Sequence, residues 1–375
     1  MRFIVVRRTR SHPYIRPLVI VLSLLTGMML VAILLTLIGA HPLATIVAIA
    51  YSFITPQVVK DMVLLTMLGC ALLISFKGAL WNVGAEGQLY TAIIPIVWIT
   101  LYVAPWSASS PPYQSILVTL ASITAAAIFG AMWGAIAGVL RAYVGIDEVP
   151  VTLIMNYIAY YLVNLLILGP FRGRYVYGYI RTDDLPDAYK LNINVVMQRT
   201  GNAFIDGFLE FIRVIVYYAY WVLAAILVAL LTWIVFNHTS IGLKIKILGS
   251  NPEFLKAVGV DVRRTIVMAL TLSGLLVGIA SATYYLGDLT RLTYPIQAQT
   301  AGYGYLAILV AWLSMLELQL IPISAYIVSS LRNAGRNMQI FGLGGLESTL
   351  ILLGSILLTY STLRFLTEYE VRVVK

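Results

Sequence analysis

The chain has 375 residues, 60% of them hydrophobic and only 11% charged, with a mean hydropathy of +0.90. A soluble domain carries about a quarter of its residues as charge, so a soluble globular class is excluded. The net charge of +9 is gathered beside apolar runs and lacks the interleaved aromatics of single-strand binders, which excludes nucleic acid as a partner.

In chain order, Arg2, Arg7, Arg8, Arg10 and Arg16 precede a first apolar run, Pro17–Ile38, that holds no charge. A spanning helix needs about 20 such residues. The run exceeds the roughly 7–15 apolar residues of a secretory signal, and no small-x-small site follows it. It therefore reads as an uncleaved first helix behind a cytoplasmic basic N-terminus, 1–16. Residues 40–60, with Pro42 and Pro56, read as an outer connection. A short apolar segment, 62–76, ends at Lys77 and meets Gly78, Asn82, Gly84, Glu86 and Gly87. Segments at 88–104, 115–140 and 149–168 follow, separated by a Pro- and Ser-rich turn at 105–113 and by Arg141.

The interval 169–213 holds Arg172, Arg174, Arg181, Asp183, Asp184, Asp187, Lys190, Arg199, Asp206 and Glu210. By alternation it is an ordered extracytoplasmic loop with a short surface helix, although its arginines oppose the charge rule. A segment at 214–236 leads into the basic connection 237–264, which carries Lys244, Lys246, Lys256, Arg263 and Arg264. A helix at 265–286 and short pieces at 302–315 and 318–331 come next. Gly335, Gly342, Gly344 and Gly345 interrupt the chain before a final helix at 346–363. Arg332 and Arg336 fall outside or at membrane depth, and Arg364, Arg372 and Lys375 follow the last run. The expected architecture is a single all-α transmembrane domain, 1–375, of about ten helices (nine to eleven), with both termini in the cytoplasm.

Two places break the apolar pattern. From Lys77 to Gln88, three glycines with Asn82, Glu86 and Gln88 weaken a spanning helix and set polar side chains at membrane depth. Non-helical backbone at that depth survives only inside protein or beside a water-filled cavity, and an ionisable group there is a functional candidate. A second interruption, Gln297, Gln299, Thr300, Gly302, Tyr303 and Gly304, lies in the other half, as in transporters built from repeats. The glycines serve a pathway, close helix packing, or both. In the basic connection, Asn251 is an N-cap, Pro252 suits the first helical position, Glu253 favours the helix N-terminus and Gly259 ends the helix. Residues 252–258 thus form a short helix that either lies on lipid headgroups or docks a cytoplasmic partner.

Other residue types carry little chemistry. Cys70 is the single cysteine, inside an apolar run, and reads as a small core residue. His12, His41 and His238 are scattered near helix ends and read as interfacial or capping groups, not as metal ligands. Asp183 and Asp184 read as solvated charges. The sequence contains no phosphate-binding G-x-x-x-x-G-K-[ST] loop, H-E-x-x-H or G-x-S-x-G motif. The chain is thus expected to transport and not to catalyse, with no cofactor of its own.

Residues 81–88 resemble the F-N-[IV]-G-x-E-G-Q signature of ABC importer permeases for nucleosides and simple sugars, within the branched-chain amino-acid and ribose permease family. Asn82, Gly84, Glu86, Gly87 and Gln88 are in register, and Trp81 stands in place of Phe. Residues 147–159 are similar to N-E-V-x-x-T-[IL]-M-[LM]-N-Y-I-A, with Asp147 for the first Asn. Residues 248–261 resemble the cytoplasmic G-x-N-P-x-A-A-x-x-x-G-[IV] element that docks on the ATPase. Residues 302–313 resemble G-x-G-F-x-x-I-A-V-A-L-L-G, from which Trp312 and Ser314 depart.

The resemblance implies a type II importer-like permease with interrupted helices in the cell membrane. Its implied partners are a second permease subunit, identical or homologous, a cytoplasmic ATPase that hydrolyses ATP, an extracytoplasmic substrate-binding protein, and lipid. It places Trp81, Asn82, Gly84, Glu86, Gln88, Asn156, Gly302 and Gly304 on or beside the substrate pathway, with Trp81 stacking on a base or sugar. Gly249, Asn251, Pro252, Glu253, Lys256 and Gly259 would couple to the ATPase, and Glu148 would cap or brace its helix. Two rivals are a secondary transporter using Glu86 as its coupling site, and a membrane enzyme for a lipid-linked substrate. The latter lacks a polar catalytic face.

Overall fold

The computed structural model describes residues 2–7, 15–37, 41–107, 109–174, 178–195, 200–299, 302–340, 351, 354–356, 358–360, 362, 363, 365, 367 and 369–374. Arg8, Arg10, His12, Arg199, Thr300, Gly342, Gly344, Gly345, Arg364, Lys375 and part of the expected helix at 346–363 lie outside the described residues. Strand β1 (Arg2–Arg7) is followed by α1 (Ile15–Thr36), α2 (Pro42–Ser52), α3 (Val58–Lys77) and α4 (Ala85–Trp98). Next come α5 (Pro112–Val139), α6 (Glu148–Leu168), α7 (Ala203–Tyr217), α8 (Ala219–His238), α9 (Ser240–Ser250), α10 (Pro252–Ala257) and α11 (Val262–Tyr284). Helices α12 (Ile296–Gln299), α13 (Tyr303–Leu313) and α14 (Ile321–Ile340) and strand β2 (Tyr369–Val374) complete the order. Wide π turns extend α4 to Val103, α5 to Val144 and α11 to Leu289.

Among the described residues, six helices are long and apolar enough to cross a membrane: Val58–Lys77, Ala85–Val103, Pro112–Val144, Glu148–Leu168, Ala219–His238 and Val262–Leu289. Shorter apolar helices at Leu25–Leu34, Leu43–Ser52 and Tyr303–Leu313 add to them, in keeping with an all-α permease of about ten spans. Helix α3 is longer than the run 62–76 because its charged start is partnered within the protein. Lys60 pairs with Asp288 at 2.9 Å, and buried Asp61 accepts from the Tyr303 hydroxyl at 2.5 Å. Residues 40–60, read as a connection, contain α2 with Pro42 in its first turn. Helix α14 runs on through Arg332 and Arg336, beyond the expected end at 331.

The chain divides into two compact units. The first is Met1–Val58 with Tyr326–Lys375. In it β1 and β2 form an antiparallel ribbon, Arg2 opposite Val374 and Arg7 opposite Tyr369. The ribbon was not anticipated, although both segments are rich in Val, Ile, Phe and Tyr, which favour extended backbone. Gly27 admits Ile356 against its backbone, and the Tyr326 hydroxyl donates to the Phe53 carbonyl at 2.5 Å.

The second unit is Val59–Ala325. Its spine is the pair α5 and α11, whose backbones touch through glycines. A Cβ on Gly130 would strike the Gly274 carbonyl, one on Gly274 the Gly130 carbonyl, and one on Gly278 the Ala126 carbonyl. Small residues at four-residue spacing permit this approach, and close packing replaces hydrophobic drive inside lipid. Helix α4 is the inner element: Ala85–Ile93 and Pro95–Val97 are buried, enclosed by α5, α6, α11 and α13.

Candidate functional site

The site begins where α3 stops. Lys77 is its last residue, and Ala79 adopts a left-handed φ of 54°, the conformation that commonly terminates a helix. The backbone then turns tightly, with Leu80 N donating to Ser75 O at 3.1 Å and Val83 N to Trp81 O at 3.0 Å. Helix α4 starts at Ala85. The sequence-predicted break is therefore a true interruption over residues 78–84.

Buried amides hold this turn. Asn82 Oδ1 accepts from Gly84 N at 3.0 Å and from Gln88 Nε2 at 3.3 Å. Asn82 Nδ2 donates to Ser273 Oγ near the middle of α11 at 3.1 Å and to Gln88 Oε1 at 3.2 Å. From the middle of α6, Asn156 Oδ1 accepts from Gly87 N at 2.8 Å. Its Nδ2 donates to Val83 O at 3.0 Å and to the Tyr305 hydroxyl at 3.1 Å. Asn82, Gln88 and Asn156 are at most 1% exposed. Asn82 and Asn156 supply partners that a helix would have supplied internally, which answers the cost of leaving buried backbone unpaired, and Gln88 holds the Asn82 amide in place.

Glu86 joins the two interruptions. Its Oε2 accepts from Gly304 N at 2.6 Å and its Oε1 from the Tyr160 hydroxyl at 3.3 Å. Gly302, at φ 65°, caps α13, so Gly304 presents an amide of the first turn to the carboxylate. Glu86 also lies in the first turn of α4. Two positive helix ends thus face one buried carboxylate, the arrangement that favours negative charge. The approach is of backbone on backbone: a Cβ on Gly304 would strike Glu86 N and lie 2.5 Å from Glu86 Cα.

Trp81 is placed apart from this network. It is 41% exposed and packs between Phe76, at 5.2 Å, and Trp312, at 5.3 Å. Its backbone N–H donates to Glu148 Oε1 at 3.0 Å, and Glu148 Oε2 lies 2.9 Å from Arg141 Nε. Glu148 thereby ties the break to the ends of α5 and α6. Ser273, Tyr160 and Tyr305 were not singled out from sequence, since nothing local marks a helical Ser or Tyr as the partner of a distant amide, and Arg141 was read only as the end of a span.

The second cluster lies along α9 and α10. Asn251 caps α10 by accepting from Phe254 N at 3.0 Å, Pro252 occupies the first turn and Gly259 closes the helix at φ 75°. The helix covers 252–257, one residue short of expectation. Leu255 is buried, whereas Glu253, Phe254, Lys256 and Val258 face outward. Lys256 donates to Glu253 at 2.8 Å. Gly249, at the end of α9, rests on the break itself: a Cβ there would strike the Lys77 carbonyl and come within 3.1 Å of Ala79 N. Gly78 in turn faces Ile245 of α9. The two sequence-predicted clusters are therefore in backbone contact.

A family model described as branched-chain amino acid transport system / permease component matches residues 55–360. The chain is 28% identical over 272 residues to the guanosine ABC transporter permease protein NupP of Bacillus subtilis, covering 72% of this chain and 70% of that protein. It is 25% identical over 303 residues to the nucleoside ABC transporter permease protein NupB of Lactococcus lactis, covering 79% and 77%. It is also 25% identical over 302 residues to the glucose ABC transporter permease protein TsgB13 of Haloferax volcanii, covering 80% and 74%. No solved structure matches this chain. A multi-pass helical chain with this match over most of its length belongs to the branched-chain amino acid transport permease family, in its nucleoside and sugar branch.

Proposed function

We propose that this chain is the membrane-spanning subunit of an ATP-binding-cassette importer for nucleosides or simple sugars. The observation that carries the reading is the junction of the two interrupted helices at Glu86 and Gly304, with the α9–α10 arm resting on the same break. Helices broken at membrane depth can swing about their breaks without unfolding, which suits alternating access. The exposed Phe254 and Val258 give α10 an apolar tip for a groove on a cytoplasmic ATPase. Movement of that tip would act through Gly249 on Lys77–Ala79, and so on α4. In this reading both termini and 237–264 are cytoplasmic, and 169–213 faces an extracytoplasmic binding protein. A second permease subunit completes the channel, and ATP is hydrolysed by the ATPase subunits alone.

The substrate class rests on the named relatives and on the aromatic groups beside the break. Trp81, 41% exposed, and Trp312 offer flat faces, while Asn82, Gln88 and Asn156 are buried and brace the break behind them.

Uptake of radiolabelled guanosine, adenosine, ribose and leucine into vesicles tests this, with and without the cognate ATPase and binding protein. Nucleoside or sugar uptake that requires ATP and both partners supports the importer. Uptake by this chain alone that collapses with an ion gradient overturns it in favour of a secondary transporter coupled at Glu86, whose full burial is the feature such a site needs.

A further inference from the structure

Helix α7 is amphipathic, yet its apolar side is left open and not packed on a protein core. Ile205, Phe208, Leu209, Phe211, Ile212 and Ile215 recur at three- and four-residue spacing, and Asp206, Glu210 and Arg213 share the opposite side. The apolar side is not covered by the protein: Ile205 is 44% exposed, Phe208 58%, Phe211 41% and Ile215 38%, as open as Arg213 and Glu210 on the polar side.

The polar side is satisfied locally, by the helix and the residues just before it. Arg213 pairs with Glu210, its Nε donating to Glu210 Oε2 at 2.8 Å. Asp206 accepts from Thr200 N at 2.7 Å and Gly201 N at 3.2 Å, which fixes the start of the helix. At the other end the Tyr217 carbonyl accepts from Ile193 N at 3.1 Å, and the Tyr217 hydroxyl accepts from Asn192 Nδ2 at 2.9 Å. The helix is thus pinned at both ends with its apolar face turned out.

Position decides what covers that face. Only Tyr218 separates α7 from the membrane-spanning α8, so α7 lies at the membrane surface where α8 enters. The exposed Tyr220, Leu223, Ile226 and Leu227 of α8 continue the apolar surface into the bilayer. Tyr217, Tyr218 and Tyr220 gather at the junction, the aromatic composition of a headgroup-level belt. We propose that α7 is an interfacial anchor whose Ile205, Phe208, Phe211 and Ile215 sit among lipid acyl chains beside α8. Its charged residues are two carboxylates against one guanidinium, Asp206 and Glu210 against Arg213. It therefore lacks the basic surplus that draws interfacial helices to anionic lipid, and it binds without regard to headgroup charge.

The test uses the full-length chain in a Cys70→Ala background, reconstituted in phosphatidylcholine nanodiscs. An environment-sensitive fluorophore is attached at Phe208→Cys, at Ile205→Cys or at Glu210→Cys. Labels at 208 and 205 are expected to be quenched at least threefold more by spin-labelled lipid than the label at 210, with the order reversed for aqueous iodide. Replacing half the phosphatidylcholine by phosphatidylglycerol is expected to change these ratios less than twofold. Equal iodide access at 208 and 210 overturns the anchor. So does a 208 label shielded from both quenchers, which would mean that a second copy or another protein covers the face. A larger than twofold dependence on phosphatidylglycerol overturns the charge-indifferent mode. Agreement between 205 and 208 guards against one substitution having disturbed the helix.

Discussion

The break at 78–84 and the short helix α10 use the same punctuation, glycine and asparagine, in opposite ways. Asn251 satisfies an amide three residues along its own chain, and Gly259 turns into open space. Asn82 reaches Ser273 on α11, and the break it stabilises is closed by Asn156 from α6 and by Gly304 from α13. One element is specified locally and stands exposed, while the other exists only because four helices meet around it. A substitution in α10 should therefore act on one contact, whereas one in the break should act on the whole junction.

The largest expected effect is at Gly304. Valine there drives a side chain into Glu86 N and Cα, and neither partner is a flexible side-chain end. Overpacking against backbone costs roughly 1–3 kcal/mol or more, so we expect at least about a tenfold loss of ATP-driven uptake and a lower thermal midpoint in detergent. Gly207→Ala, in helix α7 with a Cβ that meets nothing within 4 Å, is the control and should leave uptake unchanged without lowering the midpoint. Wild-type uptake by Gly304→Val would remove the junction from the transport cycle.

Gly249→Val probes the link between the two regions. Its side chain would press on the Lys77 carbonyl while leaving the exposed face of α10 intact. The expected result is normal ATPase assembly with uptake reduced about fivefold, a change of roughly 1 kcal/mol in coupling. Measuring ATP hydrolysis beside uptake separates this from misfolding, because an uncoupled importer still hydrolyses ATP. Uptake and hydrolysis falling together would mean that Gly249 matters only for packing.

The same contrast explains what was legible in the sequence. The boundaries of α10 follow from Asn251, Pro252 and Gly259, whose effects act within a few residues, so reading them needed no tertiary information. The break was legible as a fault in an apolar run, because three glycines and Glu86 are incompatible with an isolated spanning helix. Its partners were not. Ser273, Tyr160 and Tyr305 sit in segments where a single hydroxyl disturbs neither length nor hydropathy. The start of α3 was cut short for a related reason: Lys60 and Asp61 count against a span until Asp288 is known to pair with the one and Tyr303 to donate to the other. The α5–α11 glycine contact was written in Gly130, Gly134, Gly138, Gly274 and Gly278, but the spacing alone does not say which helix each faces.

The smallest effect is expected at Asn251. Alanine removes the cap from Phe254 N, which costs about 1 kcal/mol in a helix otherwise free to form. If that helix must be formed for the ATPase to dock, the affinity of the permease for the ATPase falls roughly fivefold. Asn251→Asp keeps an acceptor at the same position and should restore most of it, whereas a residue that touched the ATPase directly would not be rescued. Lys256→Gln supplies the reference, since its exposed pair with Glu253 is worth about 0–1 kcal/mol. Calorimetric titration of detergent-solubilised permease with the ATPase reads all three. A loss at Asn251→Ala as large as that at Gly304→Val would show that α10 is not locally specified, and the division between the two regions would fail.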